Sequence, residues 1–238
     1  MNLSPITLKF LEAVSQNNNT TRMHANRDLY LQEKDRYFGL IDDILDKMKK
    51  IDKNLTDITT KDCIYRFNKD IRFSKDKSPY KTRFGAFMSP GGKKSPLPGY
   101  YLHIEPGNCG ISGGSWCPTP AQRDQIVLTI RRNRSKREDI TKNKIFKKYF
   151  GEMGDKQDKD LEKTIKSSRT KKIFLELGEE KTTEILQNKN ALELLLYPRF
   201  CVWHGVKDSE IVQEGFEKEI IKGFKLLQNF NDFILVAF

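Results

Sequence analysis

The densest run of chemically capable side chains is Arg66-Phe67-Asn68-Lys69-Asp70-Ile71-Arg72-Phe73-Ser74-Lys75-Asp76-Lys77-Ser78-Pro79-Tyr80-Lys81. If the chain is extended as far as Arg72, a period of two sets Arg66, Asn68, Asp70 and Arg72 on one face, with Tyr65, Phe67, Ile71 and Phe73 on the other. Two arginines around an aspartate present planar forks suited to a carboxylate or a phosphate, and Asp70 either neutralises them or orients one. Ser74, Asp76 and Lys77 fall in a turn before Pro79, and a fold-back there brings Tyr80 and Lys81 to the same surface. This chemistry is anion binding. The same residues would equally make a structural ion-pair network that ties a hairpin to a helix, with Asp70 and Asp76 satisfied by local cations and turn amides.

A second set is Tyr101-Leu102-His103-Ile104-Glu105, in which strand alternation places Tyr101, His103 and Glu105 on one face. Histidine titrates near neutral pH, so His103 is a candidate proton carrier with Glu105 to orient it; the plainer use is a half-buried histidine bonded to a neighbouring strand. No serine or cysteine around it has a nucleophile elbow. His24, His103 and His204 show none of the HxxxH, HxH or HExxH spacings, so no metal site is expected; one would need Asp70, Asp76, His103 and Glu105 to meet in space. Pro90-Gly91-Gly92-Lys93-Lys94 lacks the first glycine of a phosphate loop and is followed by Ser95-Pro96, which opens no helix. Gly110, Gly113 and Gly114 make no dinucleotide fingerprint; glycines in a strand mark a bulge or a close approach of another backbone or a ligand. No cofactor can be named. Cys63, Cys109, Cys117 and Cys201 form no CxxC pair and read as reduced thiols.

The formal net charge is +11, and it is unevenly spread. Residues 1–60 and 151–238 are close to neutral, whereas 61–100 and 121–150 each hold ten basic against three acidic side chains. Such windows attract phosphates, nucleic acid or anionic headgroups through a field that salt weakens, or simply form a solvated face. The second window, Arg131-Arg132-Asn133-Arg134-Ser135-Lys136-Arg137 through Lys147 and Lys148, lies at and beyond a helix end, where cations also suit the helix dipole. It carries no helix-turn-helix, zinc-finger or RNP signature.

Several elements must hold these sets in place. Ser4-Pro5 opens a helix with Ile6, Phe10, Leu11 and Val14 on one face, and Asn17, Asn18 and Asn19 end it. A longer helix follows over about 25–51, its core stripe Phe38, Ile41, Leu45 and Met48. From Asp62 the alternation of Cys63, Tyr65 and Phe67 reads as a strand, and Arg83–Met88, Gly99–Glu105 and Cys109–Ser115 read as three more, bounded by Pro/Gly turns. Thr119-Pro120 opens a helix toward Arg134, Arg199–Val206 reads as a strand, and a last helix spans about 209–228 with Val212, Phe216, Ile220, Phe224 and Leu227 at helical spacing. The charged stretch within 151–190 reads as a mobile excursion or an exposed helix. With no linker between two cores, the expectation is one α+β domain over residues 1–238, a central, mostly antiparallel sheet flanked by N-terminal and C-terminal helices.

The run RFNKDIRFSKDKSPYKTRFGAF, followed by GYYLHIEPG and GISGGSWCPTP, resembles the family of domain of unknown function 2461. The asparagine run at 17–19, the HANRDLY stretch from His24 to Tyr30, and Phe230-Asn231-Asp232-Phe233 extend the resemblance to nearly the whole chain. It implies a single domain of this length and carries no activity. The chain departs from the family pattern at Thr20, Thr21, Arg22 and Met23, where such proteins usually show a basic residue, an acid and Trp-Phe. A Lys-x-x-Pro-Lys-Gly-Phe-like stretch is not recognisable between Lys156 and Asn190, and Pro198-Arg199 stand before Phe200 in place of the displaced basic residue.

No apolar run reaches the roughly 20 residues of a membrane span, and the first ten residues lack the order of a signal peptide, so a cytoplasmic protein without membrane contact is expected. The functional expectation is a site for a small anionic or phosphorylated ligand formed by Arg66, Arg72, Lys77, Tyr80, Lys81 and Tyr101, with His103 and Asp70 as the groups that would do chemistry if turnover occurs. The alternative is a sequence-nonspecific nucleic-acid-binding module in which both basic windows share one face.

Overall fold

The computed structural model describes residues 3–151, 166–187 and 199–238. Three helices come first: α1 (Pro5–Gln16), α2 (Thr20–Ala25) and α3 (Arg27–Ile51). Proline at the first position suits the helical φ, and the amide of Ser4 donates to Thr7 Oγ1 at 3.3 Å. Thr7, Phe10, Leu11 and Val14 form the buried face of α1, while Ile6 is exposed. Thr7 turns inward because its hydroxyl donates to the carboxylate of Glu33, a buried acid on α3. On α3 the stripe is Tyr37, Leu40, Ile41, Ile44, Leu45 and Met48; Tyr37, rather than the expected Phe38, takes the inward place and stacks on Phe84 at 5.0 Å.

After a 3-10 turn (Lys53–Leu55), α4 (Thr60–Cys63) occupies the start of the expected strand. Local bonding decides this difference. Asp62 accepts from the amide of Thr59 at 2.9 Å and from its hydroxyl at 2.7 Å, closing a helical turn that alternation alone does not reveal. Beyond it only isolated bridges form, Ile64 with Ala86 and Asn68 with Tyr80.

The chain then lays down β1 (Phe84–Met88), β2 (Gly99–Ile104) and β3 (Cys109–Ser115), followed by α5 (Pro120–Arg132), α6 (Arg134–Thr141), α7 (Lys144–Phe150), α8 (Ser168–Leu177) and α9 (Glu179–Gln187). It ends with β4 (Phe200–Val206), a single turn α10 (Asp208–Ile211) and α11 (Phe216–Leu235). The strands make one antiparallel sheet in the order β1-β2-β3-β4, with helices toward both termini, an α+β fold. The last helix is interrupted where one element was expected: Gly215, at φ +77°, separates α10 from α11. Of the 151–190 stretch, residues 166–187 contribute α8 and α9; residues 152–165 and 188–198, and with them part of the expected mobile segment, lie outside the described residues.

Two compact units are present, one comprising Met1–Ser95, Gly99–Ser112 and His204–Gln228, the other Pro96–Pro98, Gly113–Trp203 and Asn229–Phe238. In the first, β1 and β2 pair Phe84 with Ile104, Ala86 with Leu102 and Met88 with Tyr100 on the core side, leaving Gly85 opposite His103 and Phe87 opposite Tyr101 on the other face. The buried Tyr100 hydroxyl donates to Asp52 at 2.8 Å. Phe67, from the charged run, sits among rings: Tyr30 at 5.3 Å, Phe84 at 5.3 Å, Tyr80 at 5.9 Å and Phe10 at 6.0 Å. In the second unit, Thr119 and Gln122 cap α5, which buries Ile126, Val127, Leu128 and Ile130. Phe146 of α7 packs on Phe230 at 5.7 Å. Gly114 lies so close to Phe200 that a Cβ would collide with its carbonyl oxygen, the close backbone approach that strand glycines signal.

Among the described residues no helix is long and apolar enough to cross a membrane. Because Phe67 is only 6% exposed and fills a space between four rings, Phe67→Ala is expected to lower unfolding stability by about 3–5 kcal/mol, measured by urea denaturation, and Phe67→Leu by much less.

Candidate functional site

The charged run is a loop anchored at both ends. On one side the amide of Tyr65 donates to Gly85 O at 3.0 Å beside β1. Further along, Lys69 N to Pro79 O at 2.8 Å and Lys81 N to Phe67 O at 2.9 Å fold the chain back on itself. Asn18 completes the clamp: its side-chain amide donates to Tyr80 O at 2.9 Å and accepts from Tyr80 N at 3.1 Å. Tyr80 is thereby buried against Phe67.

Between the anchors, charges satisfy one another. Arg72 donates to Asp70 through Nε at 3.0 Å and Nη2 at 2.7 Å, and Arg66 stands 3.6 Å from the same carboxylate. These contacts, the Arg72 bond first, hold the Asp70 carboxyl below the usual range. Asp76 accepts from Lys69 Nζ at 2.7 Å and from the amide and hydroxyl of Ser78 at 2.9 and 2.8 Å, which lowers its pKa further still. Lys77 Nζ donates to the carbonyl of Ile71 at 3.0 Å. Phe73 at the tip is 95% exposed. Asp70, Arg72 and Arg66 therefore stand together as one local cluster, of the kind that two forks and an aspartate can make without any ligand, while Lys77 is tied to the loop backbone.

The outer face of the β1–β2 pair holds the second set. Tyr101 Oη lies 2.8 Å from His103 Nδ1, and His103 Nε2 lies 3.0 Å from Glu105 Oε2. Glu105 also accepts from Thr82 Oγ1 at 2.6 Å and from Asn108 Nδ2 at 3.3 Å. Burial raises the Glu105 pKa, but these donors outweigh it and the carboxyl titrates below its ordinary value. His103, only 8% exposed, is pushed down by burial and by Arg83 more than Glu105 pulls it up, so its imidazole is neutral at pH 7. The Tyr101 phenol is pushed up to about 12, burial being the main cause. Cys109, whose thiol donates to Glu105 O at 3.2 Å, is likewise raised by burial to about 12 and is no nucleophile at neutral pH.

Cations border this face. Arg83 hydrogen-bonds Tyr101, Tyr65 meets Tyr101 edge-on at 6.4 Å, and Lys81 Nζ lies 5.4 Å above the Tyr65 ring while donating to Arg66 O at 2.8 Å. Lys81 and Arg83 have no acidic partner among the described residues. The Lys81 ammonium is held below its ordinary pKa by burial first, then by Arg83 and Arg66. Of the residues singled out in the sequence, the structure thus gathers Tyr101, His103 and Glu105 with Lys81. It adds Arg83, Thr82 and Asn108. Arg83 was legible in principle, since it is two residues beyond Lys81 and directly precedes Phe84, which pairs with Ile104.

A concavity among α1, α2 and the start of α3 is lined by Ile6, Phe10, Val14, Met23, Leu29 and Tyr80 together with asparagines. Met23, where the resemblance leads one to expect an aromatic ring, forms part of its wall. Among the described residues no group of three or more His, Cys, Asp or Glu side chains is placed to hold a metal ion.

No curated protein and no solved structure matches the chain. A family model does, described as a conserved hypothetical protein (DUF2461). Its match runs over residues 6–233, taking in α1, the clamped loop, all four strands and most of α11, and the chain belongs to that family.

Proposed function

We propose that the protein binds a small anionic or phosphorylated ligand on the outer face of the β1–β2 pair, at Lys81, Arg83 and Arg66 beside Tyr101 and His103. The observation that carries this reading is the pair of cations, Lys81 and Arg83, gathered near one another with no acidic partner among the described residues. Like charges held together cost free energy that a bound oxyanion would relieve, and the Arg83 fork suits carboxylate or phosphate geometry. Any turnover there would draw on the same cations to stabilise developing negative charge. A sequence-nonspecific nucleic-acid module is the second reading. Its other basic window is partly neutralised within itself, because Glu138 accepts from Arg134 at 2.9 Å and from Lys142 at 2.7 Å.

Inorganic phosphate is the probe, with binding read by calorimetry. Lys81→Ala and Arg83→Ala are each expected to weaken it about tenfold or more, as loss of a charge-assisted hydrogen bond of about 1.5–3 kcal/mol requires. Arg72→Ala is the internal comparison, since its fork is already engaged by Asp70; a loss as large as that of Arg83→Ala would move the site to the loop. Oligonucleotide binding that falls steeply with salt and ignores phosphate would favour the nucleic-acid reading.

The buried histidine adds a pH signature. Its folded-state pKa is depressed, so the unfolded chain takes up the proton first. Stability is therefore full above the ordinary histidine pKa and is lost as pH falls from there toward the folded value. In His103→Gln this part of the dependence of urea midpoint on pH is expected to vanish.

A further inference from the structure

The hydrogen bonds along β2 have a direction that the donor inventory fixes. Glu105 is ionised at neutral pH and can only accept, so the proton of the neutral imidazole sits on Nε2 and points at Oε2. His103 Nδ1 is then a lone pair, and the hydrogen bond at 2.8 Å must be donated by the Tyr101 hydroxyl. The phenol oxygen is left with its own lone pairs, and Arg83 donates to it. Backbone geometry holds the ring in this place. Gly85 stands opposite His103 in the register, and a Cβ there would lie 2.9 Å from Tyr101 Oη and 3.3 Å from its Cε2. Only glycine leaves room for the phenol to lie across β1.

We propose that Tyr101 and His103 form a proton relay for an oxyanion that carries an exchangeable O–H, with Glu105 as the group that holds the resulting imidazolium. This rests on the anion-binding reading above. As the O–H bond of the bound ligand breaks, its proton forms a bond to Tyr101 Oη. The original Tyr101 O–H proton passes to His103 Nδ1. One proton has moved from ligand to imidazole and the phenol is regenerated. The ligand gains one negative charge, which faces Lys81 and Arg83, and the imidazolium gains the carboxylate of Glu105. A phenol whose pKa is about 12 is unsuited to hold the negative charge itself, so Tyr101 transmits the proton and His103 stores it. The ionisable groups facing His103 include Tyr101 and Glu105 on its own strand and Arg83 ahead of β1. Those facing Tyr101 include Tyr65 and, on α3, Tyr37 as well. Glu105 acts on the ligand only through His103 and is a positioning residue.

The test uses the full chain, nitrogen-15 NMR of the histidine side chains and inorganic phosphate, with His103→Gln to assign the signal. The expected wild-type result at neutral pH is the tautomer protonated on Nε2. Phosphate is expected to raise the His103 pKa by about one unit, the mark of an imidazole that holds a proton more readily once the oxyanion is bound. In Tyr101→Phe, phosphate still binds through Lys81 and Arg83 but the rise shrinks severalfold. Gly85→Ala, which keeps the hydroxyl but displaces the ring, is expected to do the same, so the result does not depend on one variant's folding. A proton on Nδ1, or phosphate that binds the wild type without moving His103, overturns the relay and leaves the anion site standing. Failure of phosphate to bind the wild type at all overturns both.

Discussion

Phe67 lies among the rings of Phe10, Tyr30, Tyr80 and Phe84, and this burial turns a strongly charged run into a fixed loop. Fixing the backbone costs about 1–2 kcal/mol per residue. The exposed ion pairs of the loop return little of that, because water screens them and their long side chains lose freedom in pairing. Burying one phenylalanine contributes about 1.5–3 kcal/mol, and the neighbouring rings and Asn18 clamp add to it. The apolar anchor holds the loop, and the polar residues choose its shape. Lys81 and Arg83 emerge from its second leg, so the cations of the proposed site owe their position to a side chain that points the other way.

Within the loop and its flanks, charge is sorted rather than merely plentiful. Asp70 and Asp76 engage Arg72 and Lys69, with Arg66 close by, and Glu138 does the same for Arg134 and Lys142. Lys81 and Arg83 are left without an acid among the described residues, beside a histidine kept neutral by burial. A net charge of +11 describes none of this, because the contrast between matched and unmatched cations depends on which acid each can reach.

The elements most legible in the sequence were those whose signals are local. Ser4-Pro5 and Thr119-Pro120 open helices where expected, and the short aromatic or β-branched runs bounded by Pro and Gly became β1, β2 and β3. The shared face of Tyr101, His103 and Glu105 followed from strand alternation alone. The strand expected from Asp62 gave way to α4 because one carboxylate reached back to Thr59, and Ile6 gave way to Thr7 because a distant buried acid wanted a hydroxyl. Helices α6 and α7 were hidden by charge, which obscures the apolar stripe that marks a helix, and for α8 and α9 it left an exposed helix as one of two readings. At the candidate site, Thr82 and Asn108 were missed for a related reason: each matters only through Glu105, and polar side chains do not announce their partners.

Asn18 shows where such hidden dependence leads. Read locally, it ends α1. In the folded protein its amide acts as a rung of sheet toward Tyr80, donating and accepting across 62 residues of chain. A backbone rung can zip from its neighbours, but this one exists only once α1 has formed and met the loop. The loop and the first helix therefore share one cooperative opening, and exchange of the Tyr80 amide with solvent reports on the docking of the N-terminus rather than on the turn beside it.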